Sequence, residues 1–346
     1  MADAPSPLRR ALSALAHRQS LPESLTAEVF GVVMRGEATP AQIAALLMGL
    51  RAKGETAEEL AGATRALREA MVRVVAESPH LVDTCGTGGG TVPTFNISTV
   101  AAFVAAGAGA VVPKHGNRSF TSRCGSADVL EALGIRIVLD AAAAARVLAE
   151  ARIVFLFAPS FHPAMKHVAA VRRELGTPSL MNLVGPLTNP AGVRRQVIGV
   201  AEPNRAAVVA EALTRLGAEH ALVVHGRVGM DEISPHGVTD VWEVRDGAVR
   251  TWEIDPERFR LGVEDVGPLL GGEPAANAER LERILGNGTA DPAGLAAVLL
   301  NAGAAIYVAG IAGTLAEGIG RAREVVASGA ARAALDRLRK ATASTS

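Results

Sequence analysis

The chain has 346 residues, 49% of them hydrophobic and 20% charged, and its 35 Lys plus Arg balance its 35 Asp plus Glu. That length predicts about two domains with ample material for a core, while zero net charge gives no case for nucleic-acid binding, so any anion site must come from local arrangement. The start MADAPSPLRRAL lacks the apolar run of a signal peptide, and Cys85 and Cys124 have neither CxxC nor His-Cys metal spacing, which suits a reducing cytoplasm better than a zinc site or a disulfide framework.

From Leu8 to about Val75 apolar residues recur at helical spacing, with starts at Thr39-Pro40 and Thr56 and breaks at Gly36 and Gly54. From Leu81 onward short strands alternate with helices: the Val111 region, 135–139, 153–157, 197–200 and 222–224. Such alternation predicts an α/β domain with a mainly parallel sheet flanked by helices, joined to a small all-helical domain. The alanine run 141–145 favours helix, and 163–176 is again helical. Across 239–254 two alternating runs flank Asp246-Gly247, a hairpin signal that adds an antiparallel pair near the sheet edge. Residues 292–312 form an uncharged stretch of membrane-spanning length, yet their Gly and Ala content and Asn301 predict a buried core helix and no membrane partner. The end, 341–346, is expected to fray.

The chemistry concentrates in 83–118. DTCGTGGG (83–90) carries four glycines within five residues, so its backbone can bring bare N–H groups up to an anion. It is neither a GxGxxG nor a Walker loop, and standing alone it reads equally well as a flexible turn. Asn96, Ser98 and Thr99 then open a small-residue helix, where their side chains either cap it or face a ligand at its positive end. A short strand at 110–113 runs into Lys114, His115, Gly116, Asn117 and Arg118. A lone Lys or Arg is usually solvated surface, but this cluster lies beside the glycine loop. Ser126 has the same double reading as cap or phosphate donor. Downstream, the adjacent acids Asp231 and Glu232 would ordinarily mark a solvated loop. Here they follow the strand 221–224 and its His225-Gly226 exit, where ligands bind in open α/β sheets, and Mg²⁺ needs only one or two carboxylates plus substrate phosphates.

These blocks, with FHPAMKHVAAVRRELG (161–176), NLVGPLTNPAG (182–192) and HGRVGMDEIS (225–234), stand in the order found in anthranilate phosphoribosyltransferases, which the chain resembles over nearly its whole length. The resemblance implies transfer of a phosphoribosyl group from phosphoribosyl diphosphate to anthranilate. It implies binding of that diphosphate by Gly86, Gly89, Gly90, Thr94, Asn96, Ile97, Ser98, Thr99, Lys114, His115, Gly116, Asn117, Arg118, Ser119, Ser122 and Ser126. It places anthranilate against Gly86, His115, Asn117, Arg172, Gly185 and Pro186, with Arg172 on the carboxylate, and Mg²⁺, two ions per subunit, on Ser98, Asp231 and Glu232. It further implies a helical domain of 1–77 plus about 162–185, an α/β domain of 78–161 plus about 186–346, and a homodimer through the helical domain.

The amine needs no deprotonation before attack, so no general base is assigned and catalysis is expected to rest on positioning and electrostatics. His115 is read as shaping the pocket, and Cys85 as a packing group. Closure of the cleft is expected to hinge near Ser78-Pro79, 159–163 and Gly185-Pro186. One departure stands out: the family's GTGGDG becomes Gly86-Thr87-Gly88-Gly89-Gly90-Thr91 here, so an acidic side chain is missing at Gly90. Two other readings remain, a nucleoside phosphorylase of the same architecture and a binding protein that has lost the reaction.

Overall fold

Four helices open the chain: α1 (Pro7–Ala16), α2 (Glu23–Met34), α3 (Pro40–Lys53) and α4 (Ala57–Ala70). In this computed structural model, residues 6–119, 123–286 and 289–344 are described. The expected starts are built as reciprocal caps: Thr39 with Gln42 and Thr56 with Glu59 each satisfy two orphan N–H groups at a helix N-terminus. Gly36 and Gly54 take φ of +77° and +92°, which ends α2 and α3 at little steric cost. Glu59 does more than cap. Its carboxylate is buried and accepts the Leu21 and Thr56 amides and the Lys53 ammonium, the last at 2.9 Å, so one side chain ties three segments of the bundle together.

The remaining chain alternates as expected. In order come β1 (Asp83–Gly86), α5 (Ile97–Gly107), β2 (Val112–Gly116), α6 (Ser126–Ala132), α7 (Ala141–Ala151), β3 (Ile153–Phe157), α8 (Ala158–Phe161), α9 (Lys166–Leu175), α10 (Leu180–Leu187), β4 (Arg195–Gly199), α11 (Pro203–Arg215) and β5 (His220–Gly226). Then follow β6 (Thr239–Arg245), β7 (Ala248–Ile254), α12 (Pro274–Gly286), α13 (Pro292–Val308), α14 (Leu315–Ala327) and α15 (Ala330–Ala343). The sheet order is β1-β4-β5-β6-β7, parallel through β5 and antiparallel beyond it, and β2 pairs with β3 in parallel beside it. A parallel bridge from Leu81 to Val111 aligns the pair with β1. β6 and β7 turn at Asp246 and Gly247, both with positive φ, as a two-residue hairpin requires.

Alternate residues of the sheet enter two different cores. Val197, Leu222, Val224 and Val241 pack with α5 and α13, helices apolar on nearly every face and therefore central. Ile198, Ala221, Val223 and Val244 pack beneath α11, and the same core continues into α1–α4, α9 and α10. The bundle thus shares a continuous apolar layer with one face of the sheet. Residues 292–312 are, as expected, mostly the buried α13, and among the described residues no helix is long and apolar enough to cross a membrane.

Three expectations need correction. Residues 135–139 form no strand; Ile135, Ile137 and Leu139 are buried and Val138 is 56% exposed, so they alternate like a strand while their backbone joins no ladder among the described residues. The alternation reported one-sided burial, which sheet and loop share. Gly185-Pro186 lies inside α10, not in a connection, and Pro159 lies inside α8. Residues 341–343 do not fray: they end α15, with Ala341 and Thr342 buried.

Glu59→Ala should strand the Lys53 ammonium and two amides in the bundle, costing roughly 3–5 kcal/mol. Denaturant unfolding of the variant measures this; a loss below about 1 kcal/mol, the usual range of an exposed pair, would contradict it.

Candidate active site

Four strands, β1, β2, β4 and β5, end on glycine at one edge of the sheet: Gly86, Gly116, Gly199 and Gly226. Packing between loops explains three of them. A Cβ on Gly199 would lie 1.5 Å from the Asp231 carbonyl oxygen, one on Gly86 would lie 2.5 Å from Asp231 Oδ2, and one on Gly116 would strike Ser126 Oγ at 2.4 Å. The loop that carries the acids therefore seats directly on strand ends stripped of side chains.

The glycine loop wraps the first acid. Gly88 N donates to Asp231 Oδ2 at 2.8 Å, Thr87 N to the Gly199 carbonyl at 2.9 Å, and Thr91 N to the Gly229 carbonyl at 2.9 Å. Gly88 and Gly89 hold φ of +68° and +82°, so glycine is needed at both. Glu232 accepts Thr94 Oγ1 at 3.0 Å through Oε1, while its Oε2 is buried with no partner among the described residues. Burial raises the Asp231 carboxyl above the ordinary range, and burial plus the Asp231 charge raises Glu232 further. Two neighbouring carboxylates without a matching cation are an unfinished arrangement. A hard divalent ion is the kind of group that would complete it, and the orphaned Oε2 is an oxygen such an ion could take as a ligand. Among the described residues no group of three His, Cys, Asp or Glu side chains could hold a metal, so further ligands must be hydroxyls, water or substrate oxygens.

Lys114, at 3% exposure, reaches under the same loop, where its ammonium donates to the Thr84 carbonyl and to Ser98 Oγ at 3.3 Å. Burial lowers its pKa and the charge of Asp83 opposes that shift. Asp83 in turn accepts the His115 amide at 3.3 Å and Asn189 Nδ2 at 2.7 Å. Asn96 precedes α5 but leaves its cap unmade; its side chain bridges the Cys124 carbonyl and Asn277 instead. Ile97 and Thr99 are buried, so the Ile97 side chain faces the core, and the Thr99 hydroxyl has no partner.

Arg118 binds the acids of α6, Asp128 at 2.9 Å and Glu131, while Asp128 also accepts the Ser119 and Gly125 amides. These contacts fold 117–119 over the start of α6, with Ser126 Oγ donating to the Asn117 carbonyl at 3.3 Å. Ser122 lies outside the described residues. Gly185 offers open space above its Cα, and Gln196 Nε2 holds the Pro186 carbonyl at 2.9 Å, next to the Cys85 thiol whose pKa burial pushes up. Arg172, on α9, is half-buried; among the described residues no hydrogen bond or acidic partner engages its guanidinium, and burial lowers its pKa.

Sequence reasoning passed over several residues that the site depends on. His162 stacks at a tilt on His115, with Nε2 atoms 3.2 Å apart, and burial depresses them to about 4 and about 3, so both rings are neutral. Asn301, on α13, clamps both backbone groups of Ile233 at 3.0 and 2.9 Å, fixing the residue after Glu232. Asn189 and Gly199 lay inside or beside quoted blocks without any local mark of their role.

The chain matches the glycosyl transferase family, a/b domain, over residues 78–332, and that family's helical bundle domain over residues 9–71. It is 50% identical over 312 residues to the anthranilate phosphoribosyltransferase of Laribacter hongkongensis, covering 90% of this chain and 91% of the relative. Against that of Rubrobacter xylanophilus it is 51% identical over 330 residues, 95% of this chain and 96% of the relative. Among solved structures, anthranilate phosphoribosyltransferase from Thermus thermophilus superposes with TM-score 0.91 at 42% identity, over 96% of this chain and 99% of that one. The Saccharomyces cerevisiae enzyme, in complex with PRPP and Mg, gives 0.89 at 27% identity, over 99% of both chains. The chain belongs to the anthranilate phosphoribosyltransferase family.

A Cβ on Gly90 would lie 2.8 Å from the Gly229 carbonyl, itself held by Thr91 N, so any side chain there must shift one loop against the other. Gly90→Ala and Gly90→Asp should therefore both weaken use of phosphoribosyl diphosphate to a similar degree. Steady-state KM across a Mg²⁺ series measures it; weaker Mg²⁺ dependence in Gly90→Asp alone would instead show that the missing carboxylate matters.

Proposed function

We infer that the chain transfers the phosphoribosyl group from 5-phosphoribosyl 1-diphosphate to the amino group of anthranilate, giving N-(5-phosphoribosyl)anthranilate and diphosphate. The observation that carries this reading is the half-buried Asp231–Glu232 pair against the glycine loop, with the buried Glu232 Oε2 lacking a partner among the described residues. In this reading Asp231, Glu232 and Ser98 hold Mg²⁺, taken as two ions per subunit. When bound, Mg²⁺ neutralises charge on the leaving diphosphate oxygens.

The protein's own groups supply the rest. Backbone amides of the glycine loop and the α5 N-terminus receive phosphate oxygens, and Lys114 adds a buried positive charge beneath them. Arg172 takes the anthranilate carboxylate in a bidentate grip that orients the amine. His115 and His162, being neutral, serve as walls that exclude water from the ribosyl centre and leave the amine its lone pair. The amine nitrogen bonds to C1 as the C1–O bond breaks; its proton departs afterwards, so no strong base is required. Asn117, Gly86, Gly185 and Pro186 are proposed to frame the aromatic ring, and Ser119, Ser122 and Ser126 to serve the ribose diphosphate side.

Loss of anthranilate fluorescence in the presence of phosphoribosyl diphosphate and Mg²⁺ tests the reaction. The wild-type chain should consume anthranilate only with Mg²⁺, and Asp231→Ala/Glu232→Ala should abolish consumption. Arg172→Ala should raise KM for anthranilate on the order of 10- to 100-fold and leave that for phosphoribosyl diphosphate nearly unchanged. Equal losses for both substrates would assign Arg172 a structural role instead.

A cytoplasmic homodimer assembled through the helical domain completes the proposal. Leu47 is buried in the bundle, while Ala44 and Met48, both half-buried on α3, offer apolar surface to a second copy. Sedimentation velocity at micromolar concentration should give a dimer; a single monomer boundary would contradict it.

A further inference from the structure

At the opposite edge of the sheet, where β4 and β5 begin and the β6–β7 hairpin turns, a cavity of about 590 Å³ opens between the strand starts and the end of α13. Its volume is that of a small-molecule site. The lining is cationic: Arg194, Arg195 and Arg245 contribute three guanidinium groups against the carboxylates of Glu219 and Asp246. Glu219 alone serves two of them, Arg194 at 2.9 Å and Arg195 at 3.1 Å. Arg245 lies 3.9 Å from an Asp246 carboxylate that is 92% exposed, too far and too wet for a firm pair.

The back wall is rigid. Arg195 donates to the Val308 carbonyl at 3.0 Å, and Arg245 to the Tyr307 hydroxyl at 3.3 Å. That hydroxyl donates to Glu243 at 2.7 Å, which also takes His220 at 2.8 Å and Trp252 Nε1 at 3.0 Å. Two of the three guanidinium groups are thus oriented by contacts that leave N–H groups over. Guanidinium forks arranged this way match carboxylate and phosphoryl oxygens.

We propose that this cavity is a second anion site, distinct from the transfer site, which takes a small ligand bearing a phosphoryl or carboxylate group between Arg194, Arg195 and Arg245. The ligand displaces Glu219 from its two arginines. Exposed pairs of that kind hold weakly, so the exchange is easy.

Both tryptophans of the chain, Trp242 and Trp252, lie on the β6–β7 hairpin, and Trp252 shares Glu243 with Tyr307, so intrinsic fluorescence reports on this edge. Titrations at low ionic strength with inorganic phosphate and, separately, malonate distinguish the two chemistries. A saturable emission change with either probe is expected. Arg194→Ala/Arg245→Ala should weaken it roughly tenfold or more, and Glu219→Gln, which frees two guanidinium groups, should tighten it severalfold. Circular dichroism checks that the double variant is folded; if it is not, the Glu219→Gln arm decides alone. No saturable change with either probe would overturn the proposal. So would a change that survives in the folded double variant, which puts the anion at the transfer site, or weaker binding in Glu219→Gln.

Discussion

Two carboxylates on consecutive residues, drawn out of water at the end of a sheet, repel each other and lose solvation together. The end of the sheet that carries them is built to hold that pair in place. Gly88 donates its amide to Asp231, Thr94 its hydroxyl to Glu232, and Asn301 pins the following residue from a helix 68 positions away. The close seat of the Asp231 carbonyl on Gly199 leaves the loop little freedom to relax toward solvent. Lys114 does not pair with the two acids: its ammonium is buried on the Thr84 carbonyl and the Ser98 hydroxyl, and Asp83 is the acid that most offsets the cost of burying it.

The larger architecture follows from where that pair must sit. Parallel strands put the ends of β1, β4 and β5 side by side, so loops far apart in the chain meet at one edge. Apolar helices α5 and α13 back those strands on one face, and α11 with the bundle covers the other. Because the bundle's core is continuous with that second face, α9, which carries Arg172, belongs to a layer anchored to the same sheet that leads to Asp231 and Glu232. Neutral His115, on β2, and His162, just before α9, pack ring against ring.

Signals that act within a few residues were legible in the sequence. Thr39 and Thr56 announced their helices, Asp246-Gly247 its hairpin, and the glycine loop and the Asp231-Glu232 pair their positions at strand ends. What failed depended on neighbours distant in the chain. Residues 135–139 alternate because one side is covered, and nothing local says whether a strand lies alongside. Gly185-Pro186 read as a break, yet Pro186 lies inside α10 one residue before its end, where it removes a single hydrogen bond from the last turn and no later turn follows to be disrupted. Asn301, Gly199 and His162 carry no local pattern at all; their roles exist only once β1, β4, β5 and α13 have been brought together. At Gly90 the sequence shows only a missing acidic side chain; the structure adds a backbone approach to Gly229 that a side chain there would disturb.

The central claim is that Asp231 and Glu232 hold a divalent ion only jointly with substrate phosphate. Electron paramagnetic resonance of Mn²⁺ as the probe ion, titrated into the protein with and without phosphoribosyl diphosphate, measures it directly. The account predicts weak binding by the protein alone, clearly tighter binding with the substrate than the substrate achieves free in solution, and loss of that gain in Glu232→Gln. Tight Mn²⁺ binding without phosphoribosyl diphosphate, or a gain that Glu232→Gln leaves intact, would contradict it.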